Sequence, residues 1–272
     1  MTEIKNVSGT AFIIAELRVE GSEENNPLYT DEIVKLFLND ETKKIAKEIA
    51  KTFTPAKDMV KIRTKYFDDV LSNQISLGYQ QVVILGSGLD TRAVRKGTED
   101  VVFFEIDNQN TLLLKEESLK QNQISANVKY ISGDYIKDDL IALLARNKFD
   151  FNLPTYFLWE GNITYLTEEE IIFVVKQIRD NVKEFKLSLD YFTEGVILRT
   201  TGYQDINDYR DELEKMGAPW LTGFENVDKF AKKLNLKVSE NFSTADLYKR
   251  YRPHSSLESN IFNFYFVCTL ES

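Results

Sequence analysis

The chain has 272 residues and a net charge of -9, because 34 Lys and Arg face 43 Asp and Glu. With 43% hydrophobic residues it can bury a sizeable core, as one large domain or two small ones. Proteins that bind nucleic acid or an anionic membrane through charge need a basic field, so this acidic balance argues against both partners.

Cysteine content and hydropathy exclude further classes. Cys268 is the single cysteine, which excludes a disulfide within the chain and a metal site built on thiolates. The first residues, "MTEIKNVSGT", lack the basic flank and apolar run of a signal peptide. No apolar run approaches the ~18–20 residues that a membrane helix needs. We therefore expect a soluble, cytoplasmic protein without a metal centre.

Residues 1–80 are predicted to form a helical extension. The runs "TAFIIAELRVEG" and "DEIVKLFLNDETKKIAKEIAKTF" have apolar residues at helical spacing. Pro55 stands at the start of a third run, "PAKDMVKIRTKYFDDVLSNQISLG", where a helix tolerates proline.

Residues 81–272 are predicted to form a doubly wound α/β core. Five short apolar runs read as strands: "QVVIL", "VVFFEI", "VKYI", "TYFLW" and "FKLSLDYF". Amphipathic stretches separate the later runs, and "INDYRDELEKMG" and "NVDKFAKKLN" continue as helices before the final strands "LKVSENF" and "SNIFNFYFVCTL". This alternation predicts a mostly parallel, seven-stranded sheet covered by helices on both faces, with an antiparallel C-terminal strand.

A glycine loop follows the first of these strands, in "QVVILGSGLDTRAVR". Gly86, Ser87 and Gly88 would lie at the carboxyl end of the strand, where open parallel sheets bind ligands. The Lys-Ser/Thr pair of a P-loop is missing. Thr91 stands where a dinucleotide fingerprint has its third glycine, and Asp90 would repel a pyrophosphate. A nucleoside with a sulfonium and an amino acid, but no phosphate, fits the loop better.

Acidic residues end the next two strands. Glu105 and Asp107 follow the loop by about 20 residues, the spacing at which a carboxylate binds ribose hydroxyls in nucleotide-binding sheets. Asp134 ends the third strand, where it could bind the adenine amine while Tyr135 packs beside the ring. Together these residues favour S-adenosylmethionine as the cofactor.

Several motifs resemble those of one family, the leucine carboxyl methyltransferase-like family of class I S-adenosylmethionine-dependent methyltransferases. The similar segments are "TAFIIAELR" with "NPLYTDEI", "IRTKYFDD", "VVILGSGLDTRAVR", "VFFEIDNQ" and "LWEGNITYLTEEEI". They cover most of the chain up to about residue 175. The combination is far more specific than a glycine pair alone.

The resemblance implies roles for individual residues. Arg63 would pair with the cofactor's carboxylate, for which a guanidinium fork is suited. Gly86 would lie under the methionine part, Asp107 would bind the ribose, and Asp134 with Tyr135 would bracket the adenine. Glu160 would lie near the cofactor's amino group or the substrate. We expect the cofactor-binding set to be Arg63, Gly86, Ser87, Gly88, Asp90, Glu105, Asp107, Asp134, Tyr135 and Glu160.

The methyl acceptor is less constrained by the sequence. A carboxylate is already ionised near neutral pH, whereas a phenol or alcohol usually needs a base. His254 is the single histidine and reads better as a solvated loop residue than as that base. This favours a carboxylate acceptor, or a phenol deprotonated by Glu160 or Tyr165.

Three interpretations remain open. The leading one is an O-methyltransferase acting on a hydroxyl or carboxyl of a small molecule, with aromatic residues of the C-terminal third around it. That set is Tyr191, Phe192, Tyr203, Tyr209, Trp220, Phe224, Tyr248 and Tyr251. The alternatives are a carboxyl methyltransferase acting on a protein C-terminus and a non-catalytic cofactor-binding protein. In each, the N-terminal helices could act as a lid.

Overall fold

The fold is built on one seven-stranded sheet. A computed structural model describes residues 9–44, 53–215 and 217–272. The strands are β1 (Gln81–Leu85), β2 (Val102–Asp107), β3 (Val128–Ser132), β4 (Thr155–Trp159), β5 (Phe185–Phe192), β6 (Lys237–Ser243) and β7 (Tyr265–Glu271). Their order is β3-β2-β1-β4-β5-β7-β6. Strands β1 to β5 pair in parallel, and β7 is antiparallel to both β5 and β6. The predicted doubly wound fold with an antiparallel C-terminal strand is confirmed.

Helices cover both faces of this sheet. They are α1 (Gly9–Ser22), α2 (Ala56–Ser76), α3 (Arg92–Arg95), α4 (Gln109–Gln121), α5 (Leu140–Arg146), α6 (Glu168–Asn181), α7 (Glu194–Ile197), α8 (Gln204–Lys215), α9 (Val227–Lys233) and α10 (Thr244–Tyr251). Short 3₁₀ turns span Val34–Phe37, Ile163–Tyr165 and Asn260–Asn263. In the part of the chain that the structure describes, no helix is long and apolar enough to cross a bilayer.

The core lies in two layers, one on each face of the sheet. All five residues of β1 are buried, which is why this strand reads as an unbroken apolar run. Val83 belongs to the layer beneath α6, and Val82 and Ile84 belong to the layer beneath α2. Cys268 is fully buried in the first layer. A third cluster, containing Phe12 and Val34, holds α1 against the edge of the glycine loop.

Three local predictions differ from the structure. Residues 31–53 were expected to form one helix, but the 3₁₀ turn ends at an extended Leu38 and a new helix begins at 40, capped by Asn39. Residues 45–52 lie outside the described residues. The run 259–270 is a 3₁₀ turn before it becomes β7. Helix α10 was not predicted, although Ser243 caps it by accepting a hydrogen bond from the Asp246 amide.

Glu105 is placed inside the core and not at the ligand-binding edge of the sheet. Its side chain is fully buried and pairs closely with the Lys115 ammonium of α4. Burial, with a smaller opposing effect of Lys115, raises the pKa of Glu105 to about 7. The structure therefore gives Glu105 a partner within the protein, and the predicted cofactor role has no support from its position.

We expect Lys115→Met to destabilise the fold, and more so at high pH. Removing one partner of a buried ion pair costs about 3–5 kcal/mol of unfolding free energy. Folding raises the pKa of Glu105, so the folded protein holds this proton more tightly than the unfolded chain does. The free energy of unfolding therefore falls as the pH rises above the ordinary pKa of a glutamate. Without Lys115 that pKa should rise further, so the loss should be larger at pH 8 than at pH 6.

Urea unfolding of both proteins at the two pH values measures this effect. Lys120→Met is the matched control, because Lys120 is exposed on the same helix. An equal loss at pH 6 and pH 8 would mean that the ionised Glu105 is not the source.

Candidate active site

A cavity of about 700 Å³ opens at the carboxyl ends of the parallel strands. Its floor is the glycine loop after β1, and its sides come from the ends of β2, β4 and β5. Helices α1 and α2 cover it with apolar side chains, among them Ile14, Met59 and Val60. This is the position at which doubly wound sheets bind ligands.

Most of the residues expected at the site line this cavity. They are Arg63, Gly86, Ser87, Gly88, Asp90, Asp107, Asp134, Tyr135, Glu160 and Tyr165. Glu105 is not among the lining residues, because its side chain is buried in the core against Lys115.

The glycine loop has a backbone shape that needs glycine. Gly86 and Gly88 both have positive φ, +63° and +50°. A Cβ at Gly86 would lie 2.8 Å from the Asn162 amide, whereas a Cβ at Gly88 would meet only Ala11, at 3.6 Å. The buried Ser87 hydroxyl has no hydrogen-bond partner among the described residues. The loop thus presents its backbone and the Ser87 hydroxyl to the cavity.

Asp107 fixes the loop from the end of β2. Its Oδ2 accepts a hydrogen bond of 2.7 Å from the Gly88 amide, and its Oδ1 accepts one of 2.7 Å from the Asn108 amide. Asn108 in turn caps α4 by accepting from the Thr111 amide. A carboxylate oxygen can accept more than one hydrogen bond, so Asp107 can also bind a ligand's hydroxyls.

Asp134 and Tyr135 stand at the end of β3 with different surroundings. The Asp134 carboxylate is half exposed and pairs with Lys137 of the same loop at 2.9 Å, so one of its oxygens already has a partner. Tyr135 is buried, and its hydroxyl accepts a hydrogen bond of 3.0 Å from the Trp159 indole. Tyr135 therefore supplies a fixed ring wall.

Arg63 is held at the centre of the cavity by α2. Its Nε donates to Glu160 Oε1 at 3.0 Å, and its Nη1 donates to the Tyr265 hydroxyl at 3.0 Å. The same Nη1 lies 3.4 Å from Asp190 Oδ2. Gly161 has positive φ and lies against the guanidinium, where a Cβ would approach Nη2 to 3.0 Å. The turn after β4 is thus shaped to fit Arg63.

Arg63 belongs to a cluster of arginines and carboxylates that the sequence analysis did not predict. It consists of Arg18, Arg63, Arg92 and Arg95 with Asp31, Asp68, Asp90, Glu160 and Asp190. Arg92 is 1% exposed and pairs with Asp90, with Asp68 at 2.7 Å and with Glu160 at 2.7 Å. Burial alone would raise the pKa of Asp90, but Arg92, Arg18 and Lys115 together outweigh burial and lower that pKa. The available signal was the contiguous "LDTR" after the glycine loop.

Asp190 and Tyr265 are two further lining residues that the sequence analysis missed. Asp190 Oδ1 accepts a hydrogen bond of 2.6 Å from the Gly161 amide, and Oδ2 accepts one from the Tyr265 hydroxyl. Burial raises the pKa of Asp190 despite the nearby Arg63. Neither residue carries a sequence signal, since each lies in an apolar strand.

The aromatic residues predicted around the acceptor divide into two groups. Tyr191, Phe192 and Trp220 line the cavity, and the Phe192 and Trp220 rings stack at 4.1 Å. The others pack elsewhere: Tyr209 against Phe53, Phe224 against Phe230 and Tyr203 against Phe264, with Tyr248 and Tyr251 at the rim of the core layer under α2. His254 is exposed in the loop after α10 and is not a lining residue.

The lining charges fit S-adenosylmethionine. That cofactor carries two positive centres and one carboxylate, and the cavity presents five carboxylates and two guanidinium groups. These are Asp90, Asp107, Asp134, Glu160 and Asp190 with Arg18 and Arg63. The Ser87 hydroxyl, which has no partner among the described residues, and the bare backbone of Gly86 and Gly88 provide a cradle beside them.

Comparison with known proteins places the chain in a family. The family model of leucine carboxyl methyltransferase matches residues 11–179. A candidate S-adenosyl-L-methionine-dependent methyltransferase of Streptomyces coelicolor is 28% identical over 208 residues, which cover 71% of this chain and 72% of that protein.

Solved structures with low identity show the same fold. A candidate methyltransferase from Thermobifida fusca has a TM-score of 0.64 at 16% identity, covering 95% of this chain and 94% of the other. A DUF574 family protein from Streptomyces avermitilis has a TM-score of 0.62 at 12% identity, covering 95% and 96%. The chain belongs to the leucine carboxyl methyltransferase family of S-adenosylmethionine-dependent methyltransferases.

Proposed function

We propose that this enzyme is an O-methyltransferase that modifies a hydroxyl or carboxyl group of a small molecule. The observation that carries the proposal is the continuity of one cavity, which runs from the glycine loop to the aromatic wall of Phe192 and Trp220 beneath α1. A cofactor on the loop and a small acceptor on the aromatic wall would share this space.

The cofactor would be held by residues from four parts of the fold. Arg63 would meet its carboxylate, Glu160 its amino group, Asp107 its ribose and Tyr135 its adenine. When bound, S-adenosylmethionine supplies a methyl group on a sulfonium. The protein's contribution is to align the acceptor and to exclude water, which methyl transfer by in-line displacement mainly requires.

Glu160 and Tyr165 remain the catalytic candidates from the sequence, with different suitability. Both Glu160 oxygens are engaged, one by Arg63 and one by Arg92, which suits a positioning role. Burial raises the pKa of Tyr165, so at neutral pH its hydroxyl is protonated and can donate a hydrogen bond to an acceptor. Tyr165 as a whole is 36% exposed and lines the cavity, which suits a position at the cavity mouth.

A protein C-terminus and a non-catalytic role are less well supported. Helix α1 packs along α2 over the cavity, and Arg18 anchors it to Thr91 at 2.7 Å and to Asp31. A long peptide would have to pass this cover. A protein that only binds the cofactor would not need the aromatic wall of Phe192 and Trp220, which lies beyond the residues proposed to hold the cofactor. A cytoplasmic location stays a prediction.

Asp107→Asn and Arg63→Ala should each weaken binding of S-adenosylmethionine about 10- to 100-fold, because each removes a hydrogen bond to or from a charged group. Asn at 107 still accepts from the Gly88 amide, so the loop should keep its shape. Calorimetric titration with S-adenosylmethionine and its demethylated product measures the loss.

Arg199→Ala is the control for that titration, since Arg199 is exposed and pairs at the surface with Asp211 and Glu214. Unchanged affinity in both site variants would remove Arg63 and Asp107 from the cofactor site. Transfer of labelled methyl groups from the cofactor into the small-molecule fraction of cell extracts tests the function itself. Label found only in protein would favour the alternative acceptor.

We further propose that residues 1–80 act as a lid, and expect cofactor to protect α1 from hydrogen exchange. Thr10, Ile14 and Leu17 line the cavity, so a ligand there should slow opening of α1 and of the segment up to residue 30. Exchange of the backbone amides, followed by mass spectrometry with and without cofactor, measures this. Helix α6 is the internal control, and an unchanged α1 would contradict the lid.

A further inference from the structure

Asp190 is a buried carboxylate at the acceptor end of the cavity. It lies on β5, and because side chains alternate along a strand it shares a face with Phe192, part of the aromatic wall. Its side chain is 5% exposed and lines the cavity. The Gly161 amide, the Tyr265 hydroxyl and Arg63 hold the carboxylate in one orientation.

The charge balance around Asp190 is negative before any ligand enters. In the arginine and carboxylate cluster defined above, four guanidinium groups face five carboxylates. Arg63, the cation nearest to Asp190, is shared with Glu160. A cofactor with one net positive charge would balance this cluster. An anionic acceptor bound beside that cofactor would make the net charge negative again.

Two kinds of acceptor therefore meet different conditions at this end of the cavity. A carboxylate would lie beside Asp190 and Glu160 in a mostly apolar pocket, where an unpaired buried charge is costly. A hydroxyl is neutral and can donate its hydrogen bond to Asp190. The ring stack of Phe192 and Trp220, with Phe53 at 6.0 Å from Trp220, offers a flat apolar surface for the rest of the acceptor.

We propose that the acceptor is a neutral hydroxyl on an apolar, ring-sized molecule, and that Asp190 accepts its proton. This inference rests on the small-molecule methyl transfer proposed above. In the step, the acceptor oxygen forms a bond to the methyl carbon while the carbon–sulfur bond breaks and its electron pair stays on sulfur. The hydroxyl proton passes to the Asp190 carboxylate and then to water. The products are an ether and a neutral thioether.

Both oxygens of Asp190 accept hydrogen bonds, but Asp190 has one guanidinium partner, Arg63 at 3.4 Å, whereas Glu160 has two, so Asp190 is better suited to take a proton. Burial raises its pKa, while Arg63, the Tyr265 hydroxyl and the Gly161 amide oppose that rise and Glu160 adds to it. A carboxylate with a raised pKa takes a proton more readily than an exposed one. Tyr265 lies on β7 and touches both Asp190 and Arg63, so it is a positioning residue.

The test compares binding of two probes that share a ring and differ in their polar group. We would measure 4-nitrophenol and 4-nitrobenzoate by difference absorbance, on protein saturated with S-adenosylhomocysteine, at a pH below the pKa of the phenol. We expect the phenol to bind at least about 10-fold more tightly, since only it donates a hydrogen bond to a charged group.

Asp190→Asn should reduce that preference to about 1, since the amide neither repels the benzoate nor takes a proton. Tyr203→Phe is the control and should keep the preference, because Tyr203 is exposed and does not line the cavity. Retained binding of S-adenosylhomocysteine shows that each variant is folded. Equal losses of preference in both variants, or an unchanged preference in Asp190→Asn, would mean that the preference does not come from the Asp190 carboxylate, and would overturn the proposal.

The remaining outcomes separate this inference from the function on which it rests. Equal or tighter binding of the benzoate, or no binding of either probe, overturns the hydroxyl acceptor. An alkali-labile methyl ester among the labelled small molecules of an extract would do the same, yet leave small-molecule methyl transfer intact. Absence of any labelled small molecule would instead remove the proposed function.

Discussion

The site depends on Arg92, a guanidinium buried where three separate parts of the chain meet. It pairs with Asp68 of α2, with Asp90 of the glycine loop and with Glu160 after β4. Burying this charge is costly, and the cost is offset only while all partners stay in place. Loss of Arg92 would remove the ion pair of Asp90 and would leave Asp68 with Arg95 and Glu160 with Arg63. The contact that joins the loop, the helix and the strand end would then be lost.

The same charges connect the cover of the cavity to its floor. Arg18 of α1 pairs with Asp31 and donates to Thr91 at 2.7 Å and to the Leu89 carbonyl at 3.2 Å. Thr91 and Arg92 are neighbours, so a shift of the glycine loop on ligand binding would act directly on the anchor of α1. This contact would let a helix outside the sheet respond to what the loop holds, as the proposed lid requires.

The sequence predicts the sheet better than it predicts the site. An unbroken apolar run such as β1 identifies a buried strand, and glycines and acids at strand ends mark the ligand edge, because both signals are local. Asp190 and Tyr265 meet Arg63 across 127 and 202 residues, and nothing local in either strand indicates that contact. Glu105 shows the opposite error, a site residue that was predicted but is not at the site. Its place at a strand end suggested a ligand, but its carboxylate is paired with Lys115 of the next helix.

Glu105 and Asp107 show how one strand assigns two carboxylates to different tasks. They lie two residues apart on β2 and so face the same side. Glu105 is enclosed beneath α4 and needs an ammonium to remain charged. Asp107 is one step beyond the core, where the Gly88 and Asn108 amides reach it and part of it stays accessible. Asp107 therefore fixes the shape of the glycine loop before any ligand is present, which would spare binding of the proposed cofactor the cost of ordering the loop.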